Sequence, residues 1–100
     1  MSKYILSPNA QKSLRNIKTH SKKQFGDRQT AIYIEDIKTK LKYVANDPDK
    51  GRNREDVKRG YLSYLAGSHV IFYRKAKTHI DIIDILHQSM EPTLHLGDEE

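Results

Sequence analysis

The densest apolar pattern in the chain lies in two runs towards its C-terminal end. Ser68-His69-Val70-Ile71-Phe72-Tyr73-Arg74 and His79-Ile80-Asp81-Ile82-Ile83-Asp84-Ile85-Leu86-His87 are rich in β-branched and aromatic residues, and the polar Lys75-Ala76-Lys77-Thr78 separates them. Such residues suit strands and such a spacer suits a hairpin loop, so the pattern predicts a β-hairpin at the centre of a sheet. A hairpin this apolar needs cover on at least one face. Upstream the period changes to a helical one. Ala10, Leu14 and Ile17 recur after Ser7-Pro8, where the serine can cap free N–H groups and the proline's missing N–H costs nothing. They predict an amphipathic helix over residues 8–24, with Lys12, Arg15, Lys18, Lys22 and Lys23 on its solvated face. Phe25-Gly26-Asp27 interrupts it, Gly26 fitting a left-handed C-cap and Asp27 the next N-cap. Ile34, Ile37, Leu41, Val44 and Ala45 then form a second stripe, ending at Asn46-Asp47-Pro48. So short a link predicts an antiparallel helical hairpin. Tyr33 and Tyr43 flank the stripe and read as core-edge packing.

Lys3-Tyr4-Ile5-Leu6 predicts a short first strand, and Tyr61-Leu62-Ser63-Tyr64-Leu65 predicts another, turning through Ala66-Gly67-Ser68 into the central hairpin. Residues 46–60 are polar and turn-rich, a loop carrying Lys50, Arg52, Arg54, Lys58 and Arg59. After His87 an irregular tail follows. The order β-α-α-β-β-β gives an α+β domain: an antiparallel sheet with an N-terminal helical hairpin on one face. Strict alternation in the last strand puts Asp81, Ile83, Ile85 and His87 on one face and Ile80, Ile82, Asp84 and Leu86 on the other. Both faces carry isoleucine while the helices cover one, so the other is expected to be an apolar patch in need of a partner.

Size and composition narrow the class. A chain of 100 residues makes a single domain over 1–100, its last residues 97–100 forming an acidic tail. Without cysteine it has no disulfide, thiolate nucleophile or Cys-ligated zinc. Met1-Ser2-Lys3-Tyr4-Ile5-Leu6 is too poor in apolar residues for a secretory signal, and no run approaches a membrane span, so a cytoplasmic protein is expected. The net charge is +5, and setting aside Asp98, Glu99 and Glu100 leaves +8 on residues 1–97. That balance favours an acidic partner, nucleic acid or protein.

Candidate chemistry is sparse. His69, His79, His87 and His95 lack close ligand spacing, so no metal is expected. No Gly-rich phosphate loop, nucleophile elbow or helix-borne His-Glu-x-x-His occurs, and no cofactor is implied. Nor is there a recognition helix or stacking platform for direct sequence-specific DNA binding. One enzymatic reading stays open: metal-free RNA cleavage, in which Arg59 and Arg74 stabilise the phosphorane and His87 moves a proton.

An ordered series of segments resembles a known family. Tyr4-Ile5-Leu6-Ser7 enters a helix, Phe25-Gly26 divides the helices, and Asp47-Pro48 precedes Gly51-Arg52. Gly60-Tyr61 leads to His69-Val70-Ile71-Phe72-Tyr73-Arg74, then to Ile83-Asp84-Ile85-Leu86-His87-Gln88-Ser89-Met90 and a late His95-Leu96. Over residues 4 to 96 this is similar to the ParE-like toxins of the RelE/ParE superfamily. The resemblance implies a bacterial type II toxin in a hetero-oligomer with a cognate antitoxin, poisoning DNA gyrase without catalysis. The ribonuclease branch instead cuts messenger RNA on the ribosome. Where that branch carries a cation before the central hairpin, this chain has Ser63 or Tyr64, and Gln88 stands where several nucleases have tyrosine. The expected gyrase-binding residues are therefore Arg52, Arg54, Lys58, Arg59, Arg74, His87 and Met90. The expected antitoxin contacts are Ile80, Ile82 and Leu86.

Overall fold

The computed structural model describes residues 3–96, so the acidic tail lies outside the described residues. Strand β1 (Tyr4–Leu6) leads into helix α1 (Pro8–Asn46), followed by a 3-10 turn at Pro48–Lys50 and β2 (Arg52–Asn53). Then come β3 (Leu62–Ala66), β4 (His69–Lys75), β5 (Ile80–His87) and a short helix α2 (Pro92–His95). Ser7 starts α1 as its pattern requires, accepting the Ala10 N–H at 3.0 Å while its own hydroxyl donates to the Ile83 carbonyl at 2.7 Å.

Helical assignment runs through 39 residues, but Gly26 has φ 84° and ψ 176°, a conformation open to glycine and strained for other residues. A straight helix of that length spans about 58 Å. The molecule's longest dimension is 37 Å, so α1 doubles back at Gly26 as two arms. This is the helical hairpin the two stripes imply. Ala10 and Ile17 of the first arm and Ile37, Leu41, Val44 and Ala45 of the second join one core with Ile71, Tyr73, Ile80, Ile82 and Ile85 of the sheet. Burying each isoleucine contributes about 1.5–3 kcal/mol.

The sheet order is β1-β5-β4-β3-β2. Strands β2 to β5 are antiparallel in turn, and β1 adds to β5 in parallel, with Tyr4 opposite Ile80 and Leu6 opposite Ile82.

Between β4 and β5 the register slips. Phe72 faces Asp84 and Tyr73 faces Ile82, which leaves Ile83 as an extra residue. The expected alternation fails at this bulge. Ile80, Ile82 and Ile85 lie under α1, whereas Ile83 and Leu86 pack on the second face with Val57, Tyr61, Val70, Phe72 and Leu96. That face is therefore partly covered by the 54–61 loop and by Leu96 of the tail. The expected antitoxin contacts need correction accordingly. Ile80 and Ile82 are 1% and 0% exposed beneath the helices, and Leu86 is 5% exposed beneath the loop and tail. All three hold the core of the chain.

Candidate functional site

Two surfaces flank the open end of the β4–β5 hairpin, beside the β3–β4 turn, and His87 borders both. On the helix side a cleft of about 460 Å³ opens between the arms of α1 and the sheet, lined by Ile17, His20, Phe25, Tyr33, His69 and His87 among others. Hairpin pairing builds it: His69 and His87 are direct partners in the ladder, and their rings meet edge to face with centroids 5.3 Å apart. Tyr33, expected as core-edge packing, ties the second arm to the β3–β4 turn. Its hydroxyl accepts the Ser68 N–H at 3.0 Å and lies 2.6 Å from His69 Nδ1. The turn approaches so closely that a Cβ on Gly67 would lie 2.5 Å from the Tyr33 ring. Half-burial holds His69 below the usual histidine range, and repulsion from His87 and His20 acts the same way. His87 Nδ1 accepts the Ser89 N–H at 3.1 Å, so its neutral ring carries its proton on Nε2.

On the second face Arg54, Val70, Phe72, His87, Met90 and Glu91 surround a smaller groove of about 230 Å³. Arg54 leaves β2, lies over the Phe72 ring at 5.4 Å and donates two hydrogen bonds to Asp56 at 3.0 and 3.1 Å. The Asp56 hydrogen bond pushes Arg54 above its ordinary value, and Arg54 holds Asp56 below the usual carboxylate range. Met90 is 40% exposed at the rim.

The other expected residues gather elsewhere. Lys58 and Arg74 line a third hollow with Tyr61 and Ile83, and Arg74 Nε stands 3.8 Å from Asp81. Arg52 and Arg59 are exposed in the loop region. The seven expected target contacts thus divide, with Arg54, His87 and Met90 at one end of the hairpin and Lys58 and Arg74 at the other. The nuclease trio is likewise not assembled. Arg74 lies five residues along β4 from His69, the ladder partner of His87, a separation of about 17 Å. Most of the length of the hairpin thus lies between Arg74 and His87. Among the described residues no three His, Asp or Glu side chains are placed to hold a metal ion. No described helix is long and apolar enough to cross a membrane.

The segment series noted in the sequence has a counterpart in known proteins. The family model described as "ParE toxin of type II toxin-antitoxin system, parDE" matches residues 4–92. The chain belongs to the ParE toxin family. Toxin ParE1 of Caulobacter vibrioides is 37% identical over 97 residues, covering 97% of this chain and all of the relative. Toxin ParE1 of Mycobacterium tuberculosis is 34% identical over 91 residues, 90% of this chain and 93% of the relative. A chain of the solved structure titled "Chromosomal ParDE TA system from P. aeruginosa" has the same fold, with TM-score 0.76 at 18% identity over 87% of this chain and 96% of its own.

The Tyr33–Ser68–His69 knot is what residue-by-residue reading missed. Only the strand character of the runs that hold His69 and His87 was within reach of the sequence, since counting back from the Lys75–Ile80 pair sets His69 opposite Leu86 and the bulge at Ile83 moves it opposite His87. Tyr33 was not, because its partners lie 35 and 36 residues away on another element.

Proposed function

We propose that this ParE-family toxin acts in the cytoplasm by binding DNA gyrase and trapping one of its states, and that a cognate antitoxin neutralises it by covering the same surface. A poison of this kind needs preferential binding to one state and no bond-making group. The observation that supports the reading is the separation of Arg74 from His87 along the hairpin, which favours contact roles for the basic residues over a shared catalytic one.

The second-face groove is the proposed centre of target binding. Arg54 is braced there by Asp56 and Phe72, and His87 and Met90 stand beside it. Held guanidinium planes and adaptable methionines suit protein surfaces. Arg52, Arg59, Lys58 and Arg74 extend the charge away from the groove. Next to it Leu65 is 57% exposed, and β2 pairs with β3 only at Leu62 and Ser63, leaving the backbone edge of Tyr64–Ala66 without a β2 partner. An acidic antitoxin segment adding along that edge would bury Leu65 and Val70 and screen the groove.

Supercoiling by purified gyrase tests the proposal. Inhibition by the wild-type protein, weakened in Arg59→Ala and Met90→Ala variants that keep their thermal midpoint, is the expected result. Unchanged inhibition in both folded variants would refute the placement.

A further inference from the structure

Beyond gyrase and antitoxin binding, we propose that the helix-side cleft is a proton-linked binding site for a phosphate group. Three imidazoles line it, His69 and His87 in ring contact and His20 on the first arm, and no carboxylate lines the cleft. Its wall, the first arm of α1 up to Gly26, carries Lys12, Arg15, Lys18, Lys22 and Lys23 and no acidic residue. Imidazoles crowded in this way repel one another when charged, and an entering anion converts that repulsion into attraction. A phosphate group suits the donors well: in a monoester its second ionisation lies near pH 6, in the histidine range, and it offers several acceptor oxygens.

The hydrogen bonds decide which protons are available. His87 accepts from Ser89 through Nδ1 and keeps its Nε2–H for a ligand. The Tyr33 hydroxyl can donate to His69 Nδ1, or turn to the Ala66 carbonyl at 3.3 Å and accept from a protonated His69. Proton uptake by His69 therefore breaks no part of the knot. The titratable groups around the cleft are His20 on the first arm, Tyr33 on the second, His69 on β4 and His87 on β5. Lys22 and Asp27 pair across the bend at 3.9 Å, and Arg54 and Glu91 lie on the far side of His87. At the mouth Phe25 is 65% exposed, an open ring face on which the base of a nucleotide can stack.

The test is a histidine-ring NMR titration of the full chain with inorganic phosphate and with adenosine monophosphate, at pH 6 and pH 8. His79, paired with Asp81 at 2.9 Å, and exposed His95 serve as internal controls. The expected result is saturable shifts at His20, His69 and His87 but not at the controls, about tenfold tighter at pH 6 than at pH 8. A His20→Gln variant of unchanged thermal midpoint should bind more weakly, which separates ligand contact from folding. Equal affinity for the two probes identifies free phosphate as the ligand. Tighter binding of the nucleotide, lost in Phe25→Ser, identifies a nucleotide phosphate. Shifts that fail to saturate, match those of the controls or ignore pH overturn the proposal.

Discussion

The Tyr33 hydroxyl lies 2.6 Å from Nδ1 of His69, 36 residues away, and through it the helical hairpin is tied to the turn that starts the central strands. The same oxygen takes the Ser68 N–H, so one side chain serves two partners. Tyr33→Phe removes both bonds and leaves the ring packing in place. We expect a loss of about 1–3 kcal/mol, read as a lower denaturation midpoint with an unchanged slope.

Acid should weaken the fold through His69. Burial, reinforced by His87 and His20, holds its folded-state value below the ordinary 6.5. As pH falls through the unfolded value, the unfolded chain binds the proton first, so stability declines below about pH 6.5 and levels off once the folded form is protonated too. Thermal midpoints measured from pH 8 to pH 5 should fall less in His69→Gln than in the wild type. Parallel curves for the two proteins would contradict this.

Alkali should act through Tyr73, whose burial pushes its hydroxyl up to about 12. The hydroxyl donates to the Pro48 carbonyl at 2.6 Å. The unfolded chain ionises first above pH 10, so this contribution is lost as pH rises towards 12. The same ring explains Gly51: a Cβ there would fall on the Tyr73 hydroxyl and lie 2.7 Å from Cζ. Gly51→Ala should cost about 1–3 kcal/mol by overpacking, checked by chemical denaturation.

The tail is part of the core. Leu96 is buried with Val57, Tyr61, Phe72 and Leu86, although Leu94 nearby is exposed. Truncation after His87 should therefore destabilise the protein by about 2–5 kcal/mol, whereas Met90→Ala should leave the midpoint within about 0.5 kcal/mol. Equal stability of the truncated and full chains would remove Leu96 from this account.

Where sequence succeeded and where it failed follows from the range of each interaction. The helical stripes, the Gly26 bend and the central hairpin are local patterns, and each is present. The bulge at Ile83 is not local. Nothing in Asp81-Ile82-Ile83-Asp84-Ile85 marks which residue is extra, and it is set where the Ile83 carbonyl takes the Ser7 hydroxyl and Ser13 reaches the buried Asp84 at 2.5 Å. Because a one-residue shift exchanges the faces of a strand, that unread bulge misplaced Leu86 relative to Ile80 and Ile82. The parallel docking of β1 escaped notice for the same reason, since three residues carry no mark of their partner's direction.

The central claim is that this toxin binds its target and does not cut RNA. One preparation of the protein should be assayed in parallel on purified gyrase with plasmid DNA and on translating ribosomes. The account predicts lost supercoiling with accumulation of cleaved gyrase–DNA complex, and intact messenger on the ribosomes. Unaffected gyrase together with codon-spaced messenger cuts that disappear in His87→Ala would contradict it.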